Sequence, residues 1–152
     1  MKNAQALMAA LMTVGMLAAL PAAHAGYPAE MKVKVEVLNE TGQNLSMVYG
    51  SWVTRQDELR NYFLSAEQGA AKFRLTLPRP ADGGAHFRYA AADGKKCQFK
   101  MTHRSVFQWL GLAKNEKTAT GKSIGTVPAV CAATVVDGRD SLGRYSVRFS
   151  MK

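Results

Sequence analysis

The stretch Lys95–His103 (KKCQFKMTH) restricts what this chain can fold into more than any other. Cys97, Phe99 and Met101 alternate with Lys96, Gln98 and Lys100, the period of a strand with one buried face. The only other cysteine, Cys131, lies in a second strand-like run, VCAATVV. In an oxidising compartment two thiols placed this way form one disulfide that joins two parts of a β-rich domain. The chain-entropy argument for a loop of this length gives on the order of 4 kcal/mol, so the pair reads as a structural staple rather than a reactive or metal-bound couple.

The oxidising compartment follows from the start of the chain. Lys2 supplies a positive charge, Leu7 to Leu20 is apolar but short for a membrane span, and Ala23-His24-Ala25 follows Pro21 as a small-x-small cleavage site. Residues 1–25 therefore read as a secretory signal of bacterial style, and residues 26–152 as a single β-rich domain. No transmembrane segment is expected after cleavage, and the location is periplasmic or secreted. Lys2 is the only charge in the leader, so the rest carries 19 Lys and Arg against 11 Asp and Glu, a net +8. Four of the eight methionines, Met1, Met8, Met12 and Met16, belong to the leader. Methionine richness is thus no property of the domain.

Along the domain, Val33, Val35 and Val37 alternate with Lys32, Lys34 and Glu36, a half-buried strand. Turn residues Asn39 to Gly42 predict a hairpin with Asn44–Ser51. One packed helix is expected over about residues 55–68, with Thr54 as cap, Asp57 and Glu58 in its first turn, and Gly69 at its end. Its stripe of Leu59, Tyr62, Phe63 and Ala66 faces the core. Phe73, Leu75 and Leu77 begin a further strand that Pro78 and Pro80 close. Two turns, Asp82-Gly83-Gly84 and Asp93-Gly94, then predict a meander through Phe87 and Tyr89 into the cysteine strand. Ser105–Leu112 is too densely apolar for a clean period and reads as either a short helix or a buried strand, and Lys114–Thr126 lacks any apolar period and reads as a long exposed loop. Tyr145, Val147, Phe149 and Met151 close the chain as a regular strand. The fold class is mainly β: an antiparallel β-sandwich or open barrel of about seven strands with one helix and one disulfide.

Chemistry is sparser. Thr118–Ser123 ends in the letters of a phosphate-binding loop, but Glu116 stands where that loop needs glycine. Cys97, Met101 and His103 offer soft ligands on one strand face, yet same-face neighbours sit roughly 7 Å apart and Phe99 intervenes. No metal and no cofactor is expected. His86 and His103 are the only histidines of the domain, and an acid and base pair made from them would suit a small basic secreted nuclease.

Charge is the broadest signal. Lys72, Arg74, Arg88, Lys100, Arg144 and Arg148 are expected to point outward from strands, as are Lys32, Lys34 and Lys96. Lys117 and Lys122 belong to the expected loop. If the strands share a sheet, a positive field results that suits an acidic protein or an anionic cell-envelope component. The lack of a dense basic cluster or aromatic series argues against sequence-specific binding of nucleic acid. Inhibitors and immunity proteins of exported enzymes share this size and construction. The leading reading is an exported, non-enzymatic binding module; the second is a hydrolase using His86 and His103. Replacing both histidines by Ala abolishes hydrolysis in the second reading and spares binding in the first. Reversing Lys72, Arg74 and Arg148 to Glu does the opposite.

Overall fold

The computed structural model describes residues 30–78, 82–107, 113–139 and 143–152. The expected signal, residues 1–25, lies outside them, as does the second half of Ser105–Leu112. Among these residues eight strands are formed: β1 (Glu30–Asn39), β2 (Leu45–Gly50), β3 (Ala70–Pro78), β4 (Asp82–Ala91), β5 (Lys96–Phe107), β6 (Ala113–Ser123), β7 (Cys131–Asp137) and β8 (Arg144–Met151). They make two four-stranded sheets, ordered β3-β1-β8-β7 and β2-β4-β5-β6. All neighbours are antiparallel except β1 and β8, which run parallel.

The two sheets pack as a sandwich because the alternating apolar positions all turn inward. Val33, Val35 and Val37 of β1, Phe87 and Tyr89 of β4, Phe99 and Met101 of β5, and Val147 and Phe149 of β8 are buried in one core. The sheets meet where Phe149 contacts Phe87 and Phe99 at ring-centroid distances of 5.1 and 5.0 Å. Edge-to-face and tilted contacts of this kind add to the area term.

The Cys97–Cys131 disulfide is present, with Cα atoms 5.7 Å apart, and it ties β5 of one sheet to β7 of the other. The backbones crowd at this corner. A Cβ on Gly121 of β6 would collide with the carbonyl of Cys131, so only glycine lets β6 and β7 approach this closely.

Several local expectations are corrected. β2 does not pair with β1; it crosses to the other sheet and pairs with β4. The crossover is made by Asn39, whose Oδ1 accepts from the Thr41 N–H at 3.1 Å while its Nδ2 donates to the Gln43 carbonyl at 2.6 Å. The meander is β4-β5-β6, since β3 pairs with β1. Asp82-Gly83-Gly84 is not a turn but the start of β4. A Cβ on Gly84 would strike the Met101 carbonyl across the ladder.

The helix is shorter than its pattern suggests, a 3₁₀ segment over Gln56–Tyr62. Arg55 rather than Thr54 stands at its N-cap, with no side-chain cap bond, and Phe63 is already extended. Extension after Tyr62 turns Leu64 inward to bridge Leu45 and leaves Phe63, expected to face the core, 45 % exposed. Leu59 and Tyr62 do pack on the core. Tyr62 anchors the segment: its hydroxyl accepts from Trp52 Nε1 at 3.0 Å, and its carbonyl accepts from the Tyr89 hydroxyl at 2.7 Å.

Lys114–Thr126 is no exposed loop. Its greater part is β6, paired along β5 from Phe107↔Ala113 to Cys97↔Ser123. The inward positions of β6 are Asn115, Lys117, Ala119, Gly121 and Ser123, small or polar residues that give no hydrophobic alternation.

Phe87 touches five aromatic rings, Trp52, Phe73, Tyr89, Phe99 and Phe149. Phe87→Ala should cost about 3–5 kcal/mol in urea unfolding, and Cys97→Ser with Cys131→Ser about 2–5 kcal/mol. A loss under 1 kcal/mol for Phe87→Ala would contradict its place at the sheet contact.

Candidate functional site

The sandwich distributes the expected binding residues over two opposite surfaces and the interior. Lys72 and Arg74 of β3, Lys32 and Lys34 of β1, and Arg144 and Arg148 of β8 share the outer face of the first sheet. Arg88, Lys100 and Lys122 lie on the outer face of the second sheet, on the far side of the molecule. Lys117 belongs to neither. It is 6 % exposed, and its Nζ donates to the carbonyls of Gly138 and Arg139 at 2.7 and 3.1 Å and lies 5.8 Å from the centre of the Tyr145 ring. A lysine so held ties β6 to the turn after β7 and offers no charge to a partner.

The two histidines are not brought together. His86 stands on the outer face of β4 opposite Lys100, its ring 5.0 Å from that of Tyr49. His103 points inward from β5, is 2 % exposed, and has its Nδ1 3.5 Å from the Tyr145 hydroxyl. A sheet separates them, because strand residues an odd number of places off register face opposite ways. They cannot act on one substrate as acid and base. Cys97 is consumed by the disulfide, and among the described residues no group of three His, Cys, Asp or Glu side chains could hold a metal ion.

The first sheet's outer face is ordered in rungs. Register places Lys72, Glu36 and Arg148 side by side, then Arg74, Lys34 and Ser146, then Thr76, Lys32 and Arg144. Neighbours within a rung are about 4.8 Å apart and successive rungs about 7 Å. The first rung is neutralised from within: Glu36 accepts from Arg148 Nε at 2.6 Å and meets Lys72 Nζ at 3.1 Å. Hydrogen bonding to Arg148, then to Lys72, holds the Glu36 carboxyl below its usual range despite partial desolvation. Among the described residues, Lys32, Lys34 and Arg74 meet no carboxylate.

Two hollows open on this face. One, of ≈ 470 Å³, lies over the Glu36 and Lys34 rungs with Val136 at its side. The other, of ≈ 700 Å³, lies over the Lys34 and Lys32 rungs and is bounded by Asp137 and Gly138. The second sheet's outer face is also basic, with Arg88, Lys96, Lys100, Arg104 and Lys122 outward: Arg104 pairs with Glu116 at 2.8 Å, and Arg88 donates to Gln98 and stacks on Tyr49. Lys32 and Lys34 are expected outward from the sequence, as the polar positions of a half-buried strand. Only the pairing of β1 between β3 and β8 makes them central.

Because the Glu36 pKa is lowered by folding, its contribution to stability is complete above the unfolded carboxylate range and is lost as pH falls through the folded value. Wild-type protein should therefore lose more stability than Glu36→Gln between pH 6 and about pH 3. Parallel acid limbs in urea titrations of the two would show that the Lys72–Glu36–Arg148 rung carries no linkage. No protein-family model, curated protein or solved structure matches this chain, so the chemistry of its faces is what a functional reading has to rest on.

Proposed function

We propose that this chain is an exported binding module that recognises an acidic protein or an anionic component of the cell envelope through the outer face of its first sheet. The observation that carries the reading is the clustering of Lys32, Lys34, Lys72, Arg74, Arg144 and Arg148 on that face, with Glu36 the carboxylate at its centre. Six cations against Glu30, Glu36 and Asp137 leave an excess of positive charge among the described residues of adjacent strands, which attracts and orients a polyanion before contact.

Export is supported by the leader-like residues 1–25 and by the disulfide, which persists outside reducing compartments. Among the described residues no helix is long and apolar enough to cross a membrane. The hydrolase reading loses its named acid and base, since His86 and His103 face opposite ways.

The test is retention of a partner from envelope extract by immobilised protein at low and high salt. Lys32→Glu with Arg74→Glu reverses two charges, and each new carboxylate has a cation across the ladder, Arg144 or Lys34, so the fold is spared. The partner should be held at low salt, released at high salt, and lost in this variant. It should be kept by Arg88→Glu with Lys100→Glu on the opposite face. Retention indifferent to salt, or lost equally in both variants, would sink the reading.

A further inference from the structure

One rung of the basic face grades from charge to apolar surface. In the Glu36 rung a central carboxylate satisfies the cations on both neighbouring strands, Lys72 and Arg148. The next rung runs from Arg74 on β3 through Lys34 on β1 to Ser146 on β8, and ends at Val136, the extra residue of a bulge in β7. Among the described residues Arg74 and Lys34 meet no carboxylate, and the Ser146 hydroxyl makes no hydrogen bond. Val136 is 50 % exposed. All four residues line one hollow of ≈ 470 Å³, where Glu36 is the one carboxylate among the described residues.

We propose that this hollow binds a phosphate monoester with a small apolar substituent, its phosphate over Arg74, Lys34 and Ser146 and its substituent against Val136. Neighbouring strands are about 4.8 Å apart, so an anion centred on Lys34 reaches the guanidinium on one side and the hydroxyl on the other. A carboxylate brings one charge and two oxygens to these three donors. A phosphate monoester brings nearly two charges and three free oxygens, one for each side chain. The ester also has a direction. Its fourth oxygen carries the organic group, and Val136 lies on the far side of Ser146 from the cations, so the group leaves the charged end and covers apolar surface. A hollow of this size suits a small ligand. Asp137, the other residue of the bulge, lines the neighbouring hollow and not this one, and its Oδ1 accepts from the Gly138 N–H at 2.7 Å.

This inference rests on the binding-module reading, and the experiment separates the two. The oxidised protein is titrated calorimetrically at fixed ionic strength, above the second phosphate pKa, with phenyl phosphate, inorganic phosphate, benzoate and polyglutamate. Phenyl phosphate should bind about tenfold tighter than inorganic phosphate, which lacks the ring, and than benzoate, which lacks the second charge. Val136→Ser should remove the preference over inorganic phosphate and leave phosphate itself bound as before. Lys34→Gln should weaken both phosphates about tenfold, and Lys100→Gln on the opposite face should weaken neither. Phenyl phosphate bound no tighter than phosphate or benzoate, with polyglutamate still held, overturns the phosphate-ester site and leaves the binding-module reading intact. A preference for the ring that survives Val136→Ser overturns it equally. Binding of none of the four overturns both. Phosphatidylcholine vesicles containing phosphatidic acid, against phosphatidylglycerol at equal charge, identify the source: preference for the former makes the ligand the monoester headgroup of a lipid, and no preference makes it a soluble ester.

Discussion

The contact of Phe149 with Phe87 and Phe99 is what the rest of the structure depends on. It presses two sheets together through rings from β4, β5 and β8, and in doing so decides which side of each strand is dry. A strand turned over by one residue would place charged side chains in that contact, and the cost of burying unpaired charge forbids it. Once Phe149 is inside, Arg144 and Arg148 must be outside; once Val33 and Val35 are inside, Lys32 and Lys34 must be outside. The positive face is the other side of the hydrophobic core.

The parallel pairing of β1 with β8 then decides which cations meet. Glu36 and Arg148 are 112 residues apart in sequence and 2.6 Å apart in space. Joining the first and last described strands at the middle of one sheet puts β1 between two cation-bearing strands, so each of its two central lysines acquires one cationic neighbour, Arg74 beside Lys34 and Arg144 beside Lys32. Electrostatics alone would disfavour this arrangement. It persists because each exposed pair costs little in water, whereas the apolar faces beneath gain from every strand added.

Where alternation was strong, the sequence was easily read. β1, the second half of β4, β5 and β8 all show apolar residues at every second place, and the turns at Asp93-Gly94 and Asp137-Gly138 are marked by glycines at positive φ. The two cysteines pointed to the disulfide. β6 was hidden because an edge strand buried on one side, with Lys117 neutralised by carbonyls and Gly121 under Cys131, needs no apolar period. The helix was overread because Leu59, Tyr62 and Phe63 fit a helical stripe, while the bridge between Leu64 and Leu45 draws the chain into extension first. The histidine pair failed on parity, which the alternation already carried: His103 shares the buried face of Cys97, Phe99 and Met101, while His86 alternates with buried Phe87 and Tyr89 and faces out.

By itself, then, the sequence determined that this is a mainly β domain, that one disulfide staples it, and that its outward strand positions are rich in Lys and Arg. These are local properties, carried by period, composition and two cysteines. Tertiary structure alone decided that β2 leaves β1 for the other sheet, that Arg88, Lys100 and Lys122 oppose rather than join Lys72 and Arg74, and that Lys32 and Lys34 stand at the centre of a cationic face. Strand order and register are set by how apolar faces pack across long sequence separations, and no short stretch of residues records that choice.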